Sequence, residues 1–332
     1  MTRRFPRAEI VAALLLAAAA VWALPRVLPL FLLINATIYV AMAVLALSLA
    51  FVWGFGGILC FGQTAFFGLG GYSYAVAALN LTGTSLAVPI AVAVPAAFAA
   101  LLGYLMFFGR VGNIYVGVIT FAVTLIFFNF ANSTAGPQWH IGAAPLGGFN
   151  GIPSTPPLNV PGAPGSALAP EQIFGVAVVC LTLCYVICKL VLQSRFGRAA
   201  VGVRENELRA ELLGYDVRLY KLGVFTIGGA IAGLAGMLFA NCVFVSPTMF
   251  SLFYAAQVII WVMVGGLGTL VGPIVGAIVL QMLTAWAGTL RDVSPNVILG
   301  VILMAAVLII PRGILPAVLG AVARLRLHGA GR

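Results

Sequence analysis

"QSRFGRAAVGVRENELRAELLGYDVRLYK" (residues 193–221) is a charged island in an otherwise apolar chain. Arg195, Arg198, Arg204, Arg209, Arg218 and Lys221 lie among Glu205, Glu207, Glu211 and Asp216, a mixture of signs that suits a folded, solvated structure better than a disordered tail. Asn206 is placed to cap a short helix, Glu207 puts negative charge in its first turn, and Gly214 is suited to end it in the left-handed conformation. Asp216 is then placed to cap the apolar segment that follows. Over 206–213, Leu208, Ala210 and Leu212 alternate with charged residues, an amphipathic knob of two turns. So short a helix is unstable alone in water. It either lies along a membrane surface or is buried in a partner's groove.

Outside the island, water is excluded as the solvent. Of 332 residues, 17 are Lys or Arg and 7 are Asp or Glu, 63% are hydrophobic and the mean hydropathy is +1.15. A soluble domain is about 25% charged. The expected fold is an all-α, polytopic transmembrane bundle forming one domain over 1–332. A crossing needs about 20 apolar residues, and breaks at Gly, Pro and charge mark about ten: 9–25, 29–53, 57–80, 85–108, 113–132, 171–193, 220–243, 251–268, 270–288 and 293–311. The start of the chain, basic and then apolar, resembles a signal peptide. No small-x-small site with a polar flank follows, so it is expected to remain as the first span.

Charge tests this topology independently of hydropathy. If the chain begins inside, the inner segments hold Arg3, Arg4, Arg7, Arg110, the group from Lys189 to Lys221, Arg312, Arg324, Arg326 and Arg332. Only Arg26 and Arg291 are left outside. That bias is the one that places Lys and Arg on the cytoplasmic side, and it puts both termini there. The net charge of +10 does not indicate nucleic acid, which needs Lys and Arg grouped on one solvated face with aromatics interleaved. All five cysteines lie in apolar stretches. Cys180, Cys184 and Cys188 share a helix face and read as packing residues rather than a metal site.

The segment 133–170 carries no charge and is rich in Gly, Pro, Ser, Thr and Asn. It is expected as an external irregular loop, either a tolerated linker or a lid or docking surface at the outer mouth. Two glycine groups fall inside spans, "GFGGILCFGQTAFFGLGGYSYA" (54–75) and "GGLGTLVGPIVGA" (265–277). Such spacing serves close helix packing or helices broken within the membrane to line a cavity. Gly62, Gln63, Thr64, Tyr72 and Ser73 of the first group, with Gly265, Gly266 and Gly268 of the second, are the candidate lining of a translocation pathway.

No source of energy is visible. Neither glycine group is a nucleotide loop, because no Gly-x-x-x-x-Gly-Lys-Ser/Thr occurs. The centres of the spans lack the ionisable residue that proton coupling needs. His140 and His328 are far apart, and no catalytic constellation forms around them. The chain reads as a non-enzymatic pore component.

On "GQTAFFGLGGY" (62–72), "GRVGNIYVGVITFAVT" (109–124), "GGFNGI" (147–152), "GRAAVGVRENELRAELLGYDVRLYKLGVF" (197–225) and "GGLGTLVGPIVGA", the chain resembles the inner-membrane permeases of branched-chain amino acid ABC importers, LivM type. The resemblance covers about 54–312. It implies a bacterial inner-membrane complex with a homologous second permease, two ABC ATPases and a substrate-binding protein at the outer face. In it the partner ATPases use ATP, and this chain binds no cofactor. By resemblance, Gly197, Arg198, Arg204, Glu205, Asn206, Glu207, Ala210 and Gly214 belong to an ATPase-coupling loop at 194–219. The same family includes urea and short-amide permeases, which leaves the solute open. A self-sufficient channel or facilitator is the alternative from another class.

Overall fold

The computed structural model describes residues 6–81, 83–136, 138–160, 162–163, 165–288 and 300. The expected tenth span, 293–311, lies outside the described residues except for residue 300, as do Arg3, Arg4, His328 and the arginines from Arg291 onward. The other nine expected spans each coincide with a helix: α1 (Pro6–Val27), α2 (Leu30–Leu49), α3 (Gln63–Asn80), α4 (Ala87–Phe108), α5 (Asn113–Ser133), α6 (Pro170–Gln193), α9 (Val217–Ala240), α10 (Leu252–Gly265) and α11 (Val271–Ala287). Two short helices, α7 (Arg195–Glu205) and α8 (Glu207–Leu212), form the charged island. Among the described residues, six helices are long and apolar enough to cross a membrane: α1, α2 with the π-helical turn Ala50–Phe55 that extends it, α4, α5, α6 and α9. The chain is therefore an all-α, multi-pass membrane protein.

The centre of the bundle is α9, packed against α2, α3 and α4. Its glycines let backbones touch. A Cβ on Gly70 of α3 would stand 2.1 Å from the Gly233 carbonyl oxygen of α9, and one on Gly236 would stand 1.9 Å from the Phe67 carbonyl oxygen. Close approach of this kind is what drives helix association where lipid gives no hydrophobic gain. Toward the periphery α6 packs on α2, and α1 packs chiefly on α6.

One span departs from expectation. The apolar run 57–80 is not a single helix, because α3 begins only at Gln63 and the chain before it is irregular. Gly57 takes φ +69°, a left-handed conformation that ends the preceding turn and that a side chain would resist. Ile58, Cys60 and Gly62 are nonetheless buried. Non-helical backbone is tolerated in a membrane protein where protein encloses it, and here α2, α5 and α9 supply the enclosure and the partners.

The uncharged 133–170 segment is more ordered than its composition suggests. A two-residue hairpin pairs His140–Ile141 with Ala144–Pro145 antiparallel, and a 3-10 turn follows at Gly148–Asn150. The segment is pinned to helix ends. Asn80 donates to the Ile141 carbonyl and accepts from the Ala143 N–H, both at 2.8 Å; Asn241 accepts from the Leu158 N–H at 2.7 Å; and the Tyr74 hydroxyl donates to the Pro156 carbonyl at 3.0 Å. The Ile152 N–H completes the cover by donating to the Val245 carbonyl at 2.9 Å.

Candidate functional site

Side-chain caps start each helix of the projection and α9 after it, at Asn206 and Asp216 as the sequence predicts and at Ser194 in addition. Ser194 starts α7 by accepting from the Gly197 N–H at 3.2 Å, Asn206 starts α8 by accepting from the Arg209 N–H at 2.8 Å, and Asp216 starts α9 by accepting from the Arg218 N–H at 3.1 Å. Gly214, at φ +84°, turns the chain between α8 and α9. The Arg218 side chain, also bonded to Asp216, holds that carboxyl below the usual carboxylate range. Beneath the projection Val203, Ala210 and Val217 form a small buried cluster with Tyr220 packed against it, and Phe196 stacks on Tyr220. One residue from each short helix thus anchors the knob. On its outer side Leu208, Leu212 and Leu213 are 67%, 80% and 71% exposed.

Two polar ties join this projection to the bundle. Lys221, nearly buried in the first turns of α9, donates to Glu207 at 2.7 Å and to Asn113 at 3.1 Å, while the Asn113 amide donates to Glu207 at 3.1 Å. The triad fixes α8 to the start of α5. Beside it opens a cavity of about 590 Å³ whose polar walls include Arg110, Glu211, Asp216 and Arg218. The second tie is Arg204, which donates to the Gly54 carbonyl and pairs with Glu205. The Gly54 carbonyl belongs to the π-helical turn that leads to the non-helical stretch, and the Arg204 side chain fills the space a Cβ on Gly57 would need.

The two glycine groups meet at this point. A Cβ on Gly54 would lie 3.1 Å from the Gly268 amide nitrogen, so the break after α2 touches the break between α10 and α11. Gly266 and Gly268 make the second break, with φ +111° and +89°. Gly265 serves packing instead, its Cβ position lying 2.3 Å from the Gly272 carbonyl oxygen. The same motifs thus hold glycines that serve close packing and glycines that break the helices.

At the α3 end of the non-helical stretch, the Phe61 N–H donates to Thr120 of α5 at 3.2 Å, and Gly62 lies so close that a Cβ would meet the Thr120 carbonyl oxygen at 2.6 Å. Gln63 opens α3. Its amide nitrogen donates to Ser48 at 2.9 Å and to the Gly228 carbonyl at 3.2 Å. Among the described residues, four buried side-chain atoms have no hydrogen-bond partner: Gln63 Oε1, Thr64 Oγ1, Tyr72 OH and Thr155 Oγ1. Three of the four lie on α3, in the stretch the sequence marks as a pathway lining. Ser73 differs, because its hydroxyl is spent on the Leu69 carbonyl of its own helix at 2.6 Å.

Several residues of this arrangement carry no role that the sequence reading assigned. Ser48, Asn113 and Thr120 are single polar residues in apolar surroundings, and only the fold shows what they bond. The cysteines of α6 stay free, and no cluster of three or more His, Cys, Asp or Glu that could hold a metal occurs among the described residues.

A multi-pass helical bundle with a charged helical projection, tied to helices broken inside the bundle, defines a polytopic membrane protein, and the proteins it resembles are transport permeases. Residues 28–311 match the family described as branched-chain amino acid transport system / permease component, and the chain belongs to it. It is 30% identical to the high-affinity branched-chain amino acid transport system permease protein LivM of Escherichia coli and 28% identical to that of Salmonella typhimurium, in each case over 85% of this chain and 69% of the relative. A probable ABC transporter permease, YphD of Escherichia coli, is 30% identical over 41% of this chain and 45% of its own. No solved structure matches the chain.

Proposed function

We propose that this chain is the permease subunit of an ATP-driven importer that carries branched-chain amino acids inward by alternating access. In this reading it works with a second permease, two ABC ATPases and an external binding protein, and its ten crossings leave both termini in the cytoplasm. The observation that carries the reading is the α7–α8 projection. Its outer face exposes Leu208, Leu212 and Leu213 while its inner face is fixed to the bundle. An apolar tip of this kind, on a charged, capped helix, suits the groove of a soluble partner.

Movement of the projection reaches the pathway by two routes. Arg204 pulls on the Gly54 carbonyl at the start of the non-helical stretch. Glu207 holds Asn113 at the base of α5, and α5 carries Thr120 against Phe61 and Gly62 at the other end of the same stretch. That stretch delivers Gln63 and Thr64. Their unpaired oxygens support a role as polar contacts for the solute, since a buried polar atom without a partner costs about 1–3 kcal/mol and a passing zwitterion supplies partners.

Reconstitution tests the reading. The chain is co-expressed with candidate ATPase, second-permease and binding-protein partners and placed in liposomes, and leucine uptake is expected only with ATP on the cytoplasmic side. Replacing Leu212 with Asp is expected to release the ATPase while the permease stays folded in the membrane. Leucine flux through the purified chain alone, without ATP, would overturn the proposal in favour of a facilitator.

A further inference from the structure

An apolar groove of about 740 Å³ runs between α1 and α6. Leu14, Ala18 and Trp22 form one wall and Val179, Leu183 and Val186 the other. The two ends of this groove differ in charge. At one end Glu9 of α1 is ion-paired with Lys189 of α6, which closes both charges on each other. At the other, the Arg26 guanidinium lies 4.4 Å from the centroid of the Trp22 ring and donates to the Trp22 carbonyl at 2.6 Å. Among the described residues no carboxylate pairs with Arg26.

Helical rise places Glu9 and Arg26 about 26 Å apart along α1, close to the hydrocarbon thickness of about 30 Å. Each end therefore sits at one membrane surface, and Arg26 with Trp22 occupies the headgroup level where such pairs anchor helices. A guanidinium offers several N–H donors in a fork that matches phosphate oxygens. A neighbouring apolar helix would cover the groove and leave that fork without an acceptor.

We propose that the groove between α1 and α6 is a phospholipid site, in which one acyl chain lies along the apolar walls and the phosphate is held by Arg26. The lipid belongs to the leaflet on the Arg26 side, because the opposite end of the groove is already neutralised. Its acyl chain completes the packing of α1, which otherwise rests chiefly on α6. This site is independent of the solute carried.

Native mass spectrometry of the full complex in mild detergent, titrated with phosphatidylglycerol, reads the site directly. The wild type is expected to keep one lipid through detergent washing, and inorganic phosphate is expected not to displace it. Arg26→Gln is expected to weaken retention about fivefold, and Ala18→Trp, which fills the groove, to remove the adduct. Equal retention in all three proteins, or displacement by phosphate alone, overturns the proposal. So does loss of a permease subunit from the Ala18→Trp complex at unchanged lipid count, which would mark the groove as a helix–helix seam.

Discussion

Arg204 and Gly54, 150 positions apart, are joined by a hydrogen bond from the guanidinium to a main-chain carbonyl. The geometry has a mechanical consequence. A carbonyl at the end of a π-helical turn has lost its helical partner, and an arginine from another element supplies one, so displacing α7 must either break that bond or move the turn. Because the turn also touches Gly268, the second break is carried along with it.

Arg204→Ala is expected to leave the ATPase bound and hydrolysing while uptake falls by an order of magnitude or more, and Arg204→Lys to restore part of it. Cys60, buried within the non-helical stretch, is a native reporter. With Cys180, Cys184, Cys188 and Cys242 replaced by Ala, labelling of Cys60 by a small thiol reagent should change with nucleotide in the parent and become insensitive to nucleotide in Arg204→Ala. Nucleotide-sensitive labelling in the variant would show that the tie does not transmit.

The Glu207–Lys221–Asn113 triad sits at the edge of solvent, with Lys221 at 10% and Glu207 at 43% side-chain exposure. Screening limits what such a pair contributes, and a double-mutant cycle of Glu207→Gln with Lys221→Met is expected to give a coupling of about 1 kcal/mol. The functional effect should be larger than that. Glu207→Lys places two cations together and is expected to separate ATP hydrolysis from uptake while the protein remains in the membrane. Normal uptake in this variant would remove α8 from the coupling route.

Glycines in this bundle divide into those that fill contacts and those that do not, and two substitutions separate them. Gly70→Ala must push the Gly233 backbone away, an overpacking that costs about 1–3 kcal/mol, and is expected to lower both folded yield and melting temperature. Gly202, within α7, has nothing within 4 Å of its Cβ position. Gly202→Ala is expected to be neutral or to stabilise by up to about 1 kcal/mol through helix propensity. Equal melting temperatures for the two, measured by fluorescence-detected gel filtration after heating, would contradict the α3–α9 contact.

Local chemistry made some of this fold legible in the sequence. Asn206, Gly214 and Asp216 act through bonds to residues two or three positions away, so their roles can be read from a short window. The same holds for the long apolar helices, whose length and hydropathy suffice. The start of α3 could not be placed that way. Residues 57–62 are as apolar as the helices around them, and the chain there is irregular, with Thr120, 59 positions from Phe61, supplying a bond that a helix would otherwise have made. Likewise the order of the 133–170 segment depends on Asn80 and Asn241 at the ends of distant helices. Pairings of that range leave no local pattern.

The sharpest test of the pathway is Thr64, whose hydroxyl is fully buried and unpaired. If that hydroxyl were only a packing group, Thr64→Val, which keeps the shape and removes an unsatisfied polar atom, would stabilise the protein by about 1 kcal/mol and leave transport unchanged. A role in holding the solute predicts a different combination. Melting temperature should stay level or rise, while the half-saturating leucine concentration or the maximal rate worsens about tenfold, the equivalent of one lost hydrogen bond to a charged group. Gln63→Leu is expected to impair uptake as well, but it also breaks the bonds to Ser48 and Gly228, so its loss of stability would obscure the cause. The valine variant separates the two explanations because stability and transport are predicted to move in opposite directions, and normal transport in a folded Thr64→Val protein would place the solute's route elsewhere than the start of α3.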